Sequence, residues 1–363
     1  MGNKKILLPL VVIAIMATIL YLDSGKIKPS ENLPKDQAVT PCDLANSSKY
    51  ECYHEISTPD GFLNTPSVNP GQLEPITIGE LVGKKVILVD FWTYTCINCQ
   101  RTLPYLNAWY EKYEDEGLEI IGIHTPEFEF EKKYENVKAA VDKFKIKYPV
   151  VLDNDFSTWN AYQNRFWPRK YLIDIRGNII YDHIGEGGYE ETEKKIQEAL
   201  KERMSVLGVE GELPSEIGSP KGVTAVDPSR VGSPEVYFGA ARNEFLGNGK
   251  KGVVGDQAFG EPEDFKRNIL FLVGNWNIKE ESAENKTASA KIIFKYSAKN
   301  VYMVAGSEKG AKLKIINDGK EVNSLIVKEE VLYPIIENST YGEHLLEIII
   351  ENPGLIAFTF TFG

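Results

Sequence analysis

The stretch that decides the fold is residues 86–104, which read VILVDFWTYTCINCQRTLP. Its first part is apolar and β-branched, as in a buried strand of a parallel sheet. Beyond it, apolar residues recur at helical spacing from Leu103 to Tyr113, and Gly117 is a suitable stop signal. The sequence therefore predicts a strand and a helix that are joined by a short connection carrying a Cys-x-x-Cys motif.

Cys96 and Cys99 lie where the predicted strand turns into the predicted helix. Unpaired backbone N–H groups and the positive end of the helix dipole face the first cysteine there, which favours its thiolate. A thiolate is the nucleophile in disulfide exchange. Cys99 follows one helical turn later, close enough to attack the mixed disulfide. We therefore predict a redox-active pair in which Cys96 attacks and Cys99 resolves.

A zinc site is the alternative interpretation of two cysteines at this spacing. It requires two further ligands, and the rest of the sequence offers Cys42, Cys52 and four histidines. There is no second Cys-x-x-Cys and no His-x-x-x-His in the sequence. We therefore expect redox chemistry without a metal or a cofactor.

This stretch resembles the thioredoxin superfamily, in particular its TlpA and DipZ types. Asp90 stands six residues before Cys96, at the place of the buried acid of thioredoxins, and Pro104 matches the proline that kinks their first helix. The resemblance implies that Asp90 relays a proton to Cys99. A plain structural carboxylate is the alternative, although an acid in an apolar strand needs a reason because burial raises its pKa.

Residues 166–174, which read FWPRKYLID, resemble the segment of this superfamily that contains a cis proline, and the strand after it. The resemblance implies a cis peptide bond before Pro168, which then presents backbone to a strand-like substrate. We also expect Trp92 and Trp167 to contact the substrate. A trans proline before an edge strand is the alternative.

Length and composition narrow the class of protein. The chain has 363 residues, enough for two domains, and a formal net charge of −11. It has no basic cluster, so we do not expect nucleic-acid binding. Its four cysteines suit one redox pair and one structural pair.

Residues 6–22 carry no charge and follow Lys4 and Lys5. As a helix they reach about 25 Å, the short end of a bilayer crossing. We predict an uncleaved membrane anchor over residues 1–24. A cleaved signal peptide is the alternative, but no Ala-x-Ala-like site follows the apolar run. The folded remainder is expected outside the cytoplasm, at the cell surface or in the periplasm.

Residues 25–56 are polar and proline-containing, which is typical of a tether. We predict a structural disulfide between Cys42 and Cys52. The alternatives are a second dithiol that exchanges with Cys96, or a metal site that also uses His54.

Residues 57–204 are predicted to form the redox domain, an α/β mixed sheet with helices on both faces. The predicted order is β-α-β-α-β-β-α, with one helix over residues 134–144 and a last one over residues 188–202. A second buried strand is predicted over residues 118–124. His124 ends it, at the edge where active sites gather in open sheets; it either tunes the thiolate or contacts partners, or it is structural. Arg101 is expected on the surface.

Residues 205–223 are rich in Gly, Pro and Ser and are predicted to be a linker. Residues 224–363 change to period-two patterning, which predicts an all-β sandwich, a jelly roll. Its predicted strands include residues 291–296 and 301–304, and residues 317–320 are predicted to form a turn. Its C-terminal part resembles the carbohydrate-binding-module-like domain that follows thioredoxin in DipZ proteins. Tyr237, Trp276 and Tyr341 either stack on a glycan or fill the sandwich.

The whole pattern predicts a membrane-anchored, extracytoplasmic thiol–disulfide oxidoreductase that acts on protein thiols and disulfides. The resemblance implies electrons from a DsbD/CcdA-type membrane donor and use in cytochrome c biogenesis or disulfide repair. A thiol peroxidase of the peroxiredoxin type is one alternative: Thr93 fits its motif, but Val89 replaces its proline. A glycan- or protein-binding module with an accessory redox site is the other.

Overall fold

The computed structural model describes residues 42, 50–69, 72–218, 220, 223 and 226–363. The predicted anchor, residues 1–24, lies outside this part of the chain. Within the part that is described, no helix is both long enough and apolar enough to span a bilayer.

The chain divides into two compact units. The first comprises Met1–Trp92, Thr102–Thr125 and Lys138–Lys221, as far as these residues are described. The second comprises Thr93–Arg101, Pro126–Val137 and Gly222–Gly363. The second unit therefore contains the Cys-x-x-Cys motif as well as the C-terminal residues. The domain limits expected from the sequence stay predictions.

Strands and helices are interspersed between residues 51 and 207. The strands are β1 (Glu51–Cys52), β2 (Gly61–Leu63), β3 (Ser67–Asn69), β4 (Gln72–Leu73), β5 (Val86–Trp92), β6 (Leu118–His124), β7 (Val150–Leu152), β8 (Arg169–Ile173) and β9 (Asn178–Ile184). The α-helices are α1 (Ile78–Leu81), α2 (Ile97–Tyr113), α3 (Tyr134–Lys143), α4 (Ser157–Ala161) and α5 (Tyr189–Leu207), and 3₁₀ turns cover Glu129–Lys132 and Pro228–Arg230.

The main sheet of the first unit has the strand order β1-β9-β8-β5-β6-β7-β2. Strand β5 lies at its centre, parallel to β6 and antiparallel to β8. Parallel pairing also joins β6 to β7, and the remaining pairs are antiparallel. The predicted α/β mixed sheet is confirmed.

All seven residues of β5 are buried, which explains its continuous apolar sequence. On one face of the sheet, Phe91 meets the rings of Trp159, Tyr162 and Tyr171 edge-on, at centroid distances of 5.8, 5.4 and 5.9 Å. Such edge contacts add to the burial of apolar area. Because successive side chains of a strand alternate between faces, Asp90 points to the other face of the sheet.

Two helices differ in detail from the sequence prediction. Helix α3 ends at Lys143, one residue before the predicted end, and its Tyr134 is 37% exposed, whereas Val137 and Val141 are buried. Tyr134 is the first residue of the helix, and at this end its side chain is not covered by the core. Helix α5 runs to Leu207, past the predicted end, and stops at Gly208, whose φ of 63° suits a glycine C-cap.

The C-terminal part of the second unit is all-β, as predicted. Its strands are β10 (Val236–Tyr237), β11 (Gly255–Phe259), β12 (Leu270–Ile278), β13 (Ala283–Asn285), β14 (Ala290–Gly306), β15 (Ala311–Asn317), β16 (Lys320–Val327), β17 (Val331–Ile350) and β18 (Ile356–Phe362). They follow the order β10-β18-β13-β12-β14-β17-β15-β16, with β11 paired to β12 and β18 paired also to β14.

Two long strands organise this β region. Strands β14 and β17 pair along most of their lengths, with register shifts between Ala298 and Asn300 and between Val301 and Tyr302. At these bulges β14 exchanges its other neighbour, β12, for β18. Two strands predicted separately, at residues 291–296 and 301–304, are therefore one strand. The predicted turn at residues 317–320 joins β15 to β16.

Candidate redox site

The redox motif occupies the connection between β5 and α2. Strand β5 ends at Trp92 and helix α2 begins at Ile97, directly after Cys96. The backbone N–H of Cys99 donates to Sγ of Cys96 over 3.3 Å. Cys96 is half-buried, whereas Cys99 is only 1% exposed. The two cysteines therefore differ in access: an external group reaches Cys96 first.

Hydrogen bonds fix the backbone on both sides of Cys96. Its N–H donates to the Thr93 carbonyl oxygen over 3.3 Å, and its carbonyl oxygen accepts from the Gln100 N–H over 3.0 Å. The Gln100 side-chain amide donates to the Tyr94 carbonyl oxygen over 2.7 Å. These bonds hold the sulfur at the N-terminal end of α2, where the helix dipole stabilises negative charge.

Arg101 is not a surface residue, contrary to the sequence prediction. It is 8% exposed, and its guanidinium donates to Oδ1 of Asn98 over 2.6 Å. Asn98 lies between the two cysteines, so this bond ties the middle of the motif to the first turns of α2. Charge alone suggested exposure, but a long side chain with local acceptors can be buried.

Asp90 is buried on β5 and is 1% exposed. Burial raises its pKa to about 7, and the positive charge of Lys170 acts in the opposite direction. Within the described part of the chain, Oδ1 of Asp90 has no hydrogen-bond partner. A buried carboxyl group that titrates near neutral pH and has unused acceptor capacity is suited to take up and release a proton.

Lys170 is a site residue that sequence reasoning missed. It lies opposite Asp90 in the β5–β8 register and is fully buried. Its Nζ donates to the carbonyl oxygen of Gly185 over 3.4 Å. The pKa of His183 is lowered mainly by the burial of that imidazole and, to a smaller extent, by the positive charge of Lys170. The only sequence signal was a lysine inside an apolar strand, and its partner is identified only by the strand register.

Trp92 was expected to contact the substrate, and the structure contradicts this because its side chain is fully buried. Its ring meets that of His124 edge-on at 5.1 Å. Gly122 leaves room for it, since a Cβ there would stand 3.0 Å from Nε1 of Trp92. A residue at the end of a buried central strand is enclosed by its neighbours.

His124 is also fully buried, so it cannot contact a partner. Burial lowers its pKa to about 3, and the imidazole is therefore neutral at physiological pH. Its carbonyl oxygen accepts from the Asp153 N–H over 2.9 Å. The structural interpretation of His124 agrees with this environment.

The peptide bond between Trp167 and Pro168 is cis, as the resemblance implied. The Pro168 carbonyl oxygen accepts from the Gly185 N–H over 2.8 Å. The Trp167 indole N–H donates to the Thr125 carbonyl oxygen over 3.0 Å, and the Trp159 ring lies 4.4 Å away. Trp167 is partly exposed, so its predicted contact with substrate stays a prediction.

Glu131 is the second residue that the sequence did not reveal. It is fully buried, and its Oε1 accepts from the hydroxyl of Thr95, the residue before Cys96, over 2.6 Å. Burial raises the pKa of Glu131 to about 7. The surrounding sequence, EFEFEKK at residues 127–133, alternates charged and apolar residues and gives no sign of which glutamate turns inward.

Cys42 and Cys52 form the predicted disulfide. The Cys42 N–H donates to the Arg176 carbonyl oxygen over 2.7 Å, and Cys52 pairs with Asn178 at the start of β9. Both half-cystines are thus fastened to the turn between β8 and β9. Because their sulfurs are bonded to each other, they are not available for the alternative metal site with His54.

No described part of the chain brings three or more His, Cys, Asp or Glu side chains together in a way that could hold a metal ion. The aromatic residues considered for glycan stacking are engaged within the protein. Trp276 is fully buried in the core of the β region, which contradicts that role. Arginine guanidinium groups lie over the rings of Tyr237 and Tyr341 at 3.7 and 4.5 Å.

Two known families match separate parts of the chain. Residues 63–182 match the family described as AhpC/TSA, and residues 233–363 match the family described as Thioredoxin like C-terminal domain.

Three relatives are informative. The protein DipZ of Mycobacterium tuberculosis is 36% identical over 303 residues, which are 84% of this chain and 41% of DipZ. The thiol-disulfide oxidoreductase ResA of Halalkalibacterium halodurans is 33% identical over 128 residues, or 35% of this chain and 69% of ResA. The thiol-disulfide oxidoreductase YkuV of Bacillus subtilis is 28% identical over 127 residues, or 35% of this chain and 85% of YkuV.

The mixed sheet, the Cys-x-x-Cys at a helix N-terminus and the cis proline define a thioredoxin-like protein. With the likeness to ResA, the chain belongs to the thioredoxin-like thiol–disulfide oxidoreductases. It spans about two fifths of the length of the DipZ proteins that it matches.

Proposed function

We propose that this chain reduces disulfides in protein substrates through its Cys96–Cys99 dithiol. The Cys96 thiolate attacks one sulfur of a substrate disulfide, a bond forms between the two, and the other substrate sulfur leaves as a thiolate. Cys99 then gives up its proton and attacks Sγ of Cys96, which breaks the bond between Cys96 and the substrate, and the substrate sulfur leaves as a second thiolate. The product is an enzyme disulfide and a fully reduced substrate, so two electrons have moved from the enzyme to the substrate.

One observation carries this proposal. Sγ of the half-buried Cys96 accepts a hydrogen bond from the Cys99 N–H at the start of α2, whereas the Cys99 side chain is buried. A backbone N–H aimed at a sulfur stabilises the thiolate form. Attack by the accessible cysteine followed by resolution from the buried one is the order of events that this asymmetry favours.

Asp90 is the group we assign to the Cys99 proton. Its carboxyl is buried, its pKa is raised to about 7 by that burial, and the opposing charge of Lys170 keeps the ionised form accessible. A base whose pKa lies near the working pH is the most effective proton acceptor. Pro168 and Trp167 are assigned to substrate contact.

The compartment and the partners are part of the proposal. The disulfide between Cys42 and Cys52 suits an oxidising compartment. The charge-free residues 6–22 suit a transmembrane anchor. We therefore place the folded residues outside the cytoplasm, with a DsbD/CcdA-type membrane donor as the source of electrons and cytochrome c biogenesis as one setting. We further propose a jelly-roll topology for the β region and a glycan as its ligand, which would bind elsewhere than on Trp276, since that residue is buried in the core.

The direct test is reduction of an insulin-type disulfide by the full-length chain, with a small dithiol as electron source. The wild type should accelerate the reaction, and the double substitution Cys96→Ser/Cys99→Ser should return it to the rate without enzyme. A wild-type chain that gives no acceleration would refute the proposed activity.

A thiol peroxidase is the second candidate, because residues 63–182 match the AhpC/TSA family. Thr93, three residues before Cys96, fits the peroxidatic motif, but Val89 stands in place of its proline. A resolving cysteine one helical turn away suits dithiol exchange better than peroxide reduction. Consumption of hydrogen peroxide at a rate above that of disulfide reduction, measured side by side, would reverse this ranking.

A further inference from the structure

The carboxylate of Glu131 joins the redox motif to a second segment of the same unit. Its Oε1 accepts from the Thr95 hydroxyl over 2.6 Å and from the Thr95 backbone N–H over 3.3 Å. Its Oε2 accepts from the backbone N–H groups of Glu127 and Phe128 over 2.6 and 3.0 Å. One oxygen therefore holds the residue before Cys96, and the other holds the start of residues 126–131.

The four donors are neutral groups, and only an ionised carboxylate accepts from all of them, because a protonated carboxyl or an amide carries hydrogen on one side. The site is fully buried. A buried donor or acceptor without a hydrogen-bond partner costs free energy. The four hydrogen bonds therefore fix the position of the Glu131 carboxylate relative to Thr95.

The segment around Glu131 is itself firmly held by the β region of the second unit. Oε1 of Glu127 bonds to Arg242 and to the Tyr237 hydroxyl, each over 2.8 Å. The Phe130 ring meets the Phe358 ring at a centroid distance of 4.8 Å. These contacts restrict the movement of Glu131, so its hydrogen bonds restrict the position of Thr95 in turn.

We propose that Glu131 is a positioning residue for the redox pair: through Thr95 it fixes the backbone from which Cys96 presents its sulfur to the N–H of Cys99. The inference rests on the proposed role of Cys96 as the nucleophile. Glu131 contacts neither cysteine through any of these bonds; it acts through Thr95, and a hydrogen bond with the Thr93 side chain supports the same connection. Because the β region contacts residues 127–130, it helps to fix the conformation of the redox motif.

Thr95→Val tests this position without replacing Glu131 itself, because it removes the hydroxyl and keeps the shape of the side chain. We expect the rate at which iodoacetamide alkylates Cys96 in the reduced full-length chain at neutral pH to fall about tenfold, the worth of one charge-assisted hydrogen bond. The equilibrium constant with glutathione should shift by a similar factor. Thr95→Ser restores the hydroxyl and should stay within about twofold of wild type.

Tyr113→Phe is the matched control. It also removes a hydroxyl bonded to a buried carboxylate, that of Glu193 at 2.9 Å, but at the far end of α2. It should lower stability as Thr95→Val does while leaving Cys96 alkylation unchanged. If Thr95→Val does not fold, Thr95→Ala is interpreted in the same way.

A double-mutant cycle completes the test. If Glu131 acts through Thr95, the effect of Thr95→Val on alkylation should shrink to less than about twofold in a Glu131→Gln background. Equal effects in both backgrounds, or a Thr95→Val chain that loses stability but alkylates like wild type, would overturn the inference. Alkylation needs no disulfide substrate, so these outcomes are independent of whether the wild type reduces insulin.

Discussion

Asp90 on β5 lies opposite Lys170 on β8, and both side chains are buried. Burial disfavours the charged form of each, and their mutual attraction favours both charges. For Asp90 the desolvation is the larger effect, since its pKa is raised to about 7 in spite of the lysine. The pair therefore holds a carboxyl group that changes its charge within the range where dithiol exchange takes place.

Asp90→Asn keeps the shape of the side chain but removes the base. Resolution of the mixed disulfide by Cys99 should slow by a factor of roughly 10 to 100, the lower range of general-base effects. The first attack by Cys96 should change little, because its thiolate is stabilised by the N-terminus of α2. Rapid-mixing kinetics separate the two steps; equal slowing of both, or of neither, would make Asp90 a structural residue.

Lys170→Met removes the positive charge that opposes the desolvation of Asp90. The pKa of Asp90 should then rise further above its ordinary value, since Lys170 lowers it in the wild type. Because the base must be ionised to accept a proton, the pH at which resolution reaches half of its maximal rate should move upward. The measurement is the pH profile of the resolution step in the two proteins. An unchanged profile would mean that Asp90 is not the titrating group.

The central elements of the fold could be predicted from the sequence because their signals are local. A continuous apolar run in the sequence predicted β5, and β6 was predicted with the bounds that the structure shows. The position of Cys96 before α2 followed from the same pattern. Long-range features were less accessible: nothing local showed that residues 291–296 and 301–304 belong to the single strand β14, since the bulge between them interrupts the alternation.

The site itself was predicted only in part, for a physical reason. Cys96, Cys99 and Asp90 lie close together in sequence, so spacing identified them. Lys170 and Glu131 reach their places through strand register and a buried turn, neither of which the sequence displays. For Trp92 the sequence led to a wrong expectation. An aromatic residue next to the motif suggested substrate contact, but its side chain is fully buried at the end of the central strand.

The roles of the two cysteines predict different trapping behaviour. Cys99→Ser should accumulate mixed disulfides with substrate proteins, because the intermediate formed at Cys96 can no longer be resolved. Cys96→Ser should trap far fewer, since Cys99 is buried. Non-reducing gels of the two variants after exposure to the same disulfide-containing protein make the comparison. Equal trapping would mean that the assignment of nucleophile and resolving cysteine is wrong.

The disulfide between Cys42 and Cys52 should be structural. Cys42→Ser should lower the free energy of unfolding by about 2–4 kcal/mol, the usual worth of closing a short loop. Disulfide reduction by the folded variant should match the wild type, because both half-cystines are attached to the turn between β8 and β9. Denaturant unfolding and the insulin assay measure the two quantities. A selective loss of activity with stability intact would instead identify a second redox centre.

The raised pKa of Asp90 also predicts how stability depends on pH. In the unfolded chain its pKa is near 3.8, whereas in the folded protein it is about 7. Between these values the folded state holds a proton that the unfolded state has released, so stability falls as pH rises. The contribution of Asp90 is complete below about pH 4 and is lost as pH passes through about 7.

Asp90→Asn cannot titrate and should lack this term. Measured against the wild type, its free energy of unfolding should therefore improve by about 2–4 kcal/mol between pH 4 and pH 8, whatever the offset at low pH. Glu131, whose pKa is also raised to about 7, is present in both proteins, so its own pH dependence cancels in the difference. Urea unfolding at intervals across this range gives the two curves. Parallel curves would show that folding does not raise the pKa of Asp90, and a carboxyl with an ordinary pKa is a poor acceptor for the Cys99 proton near neutral pH.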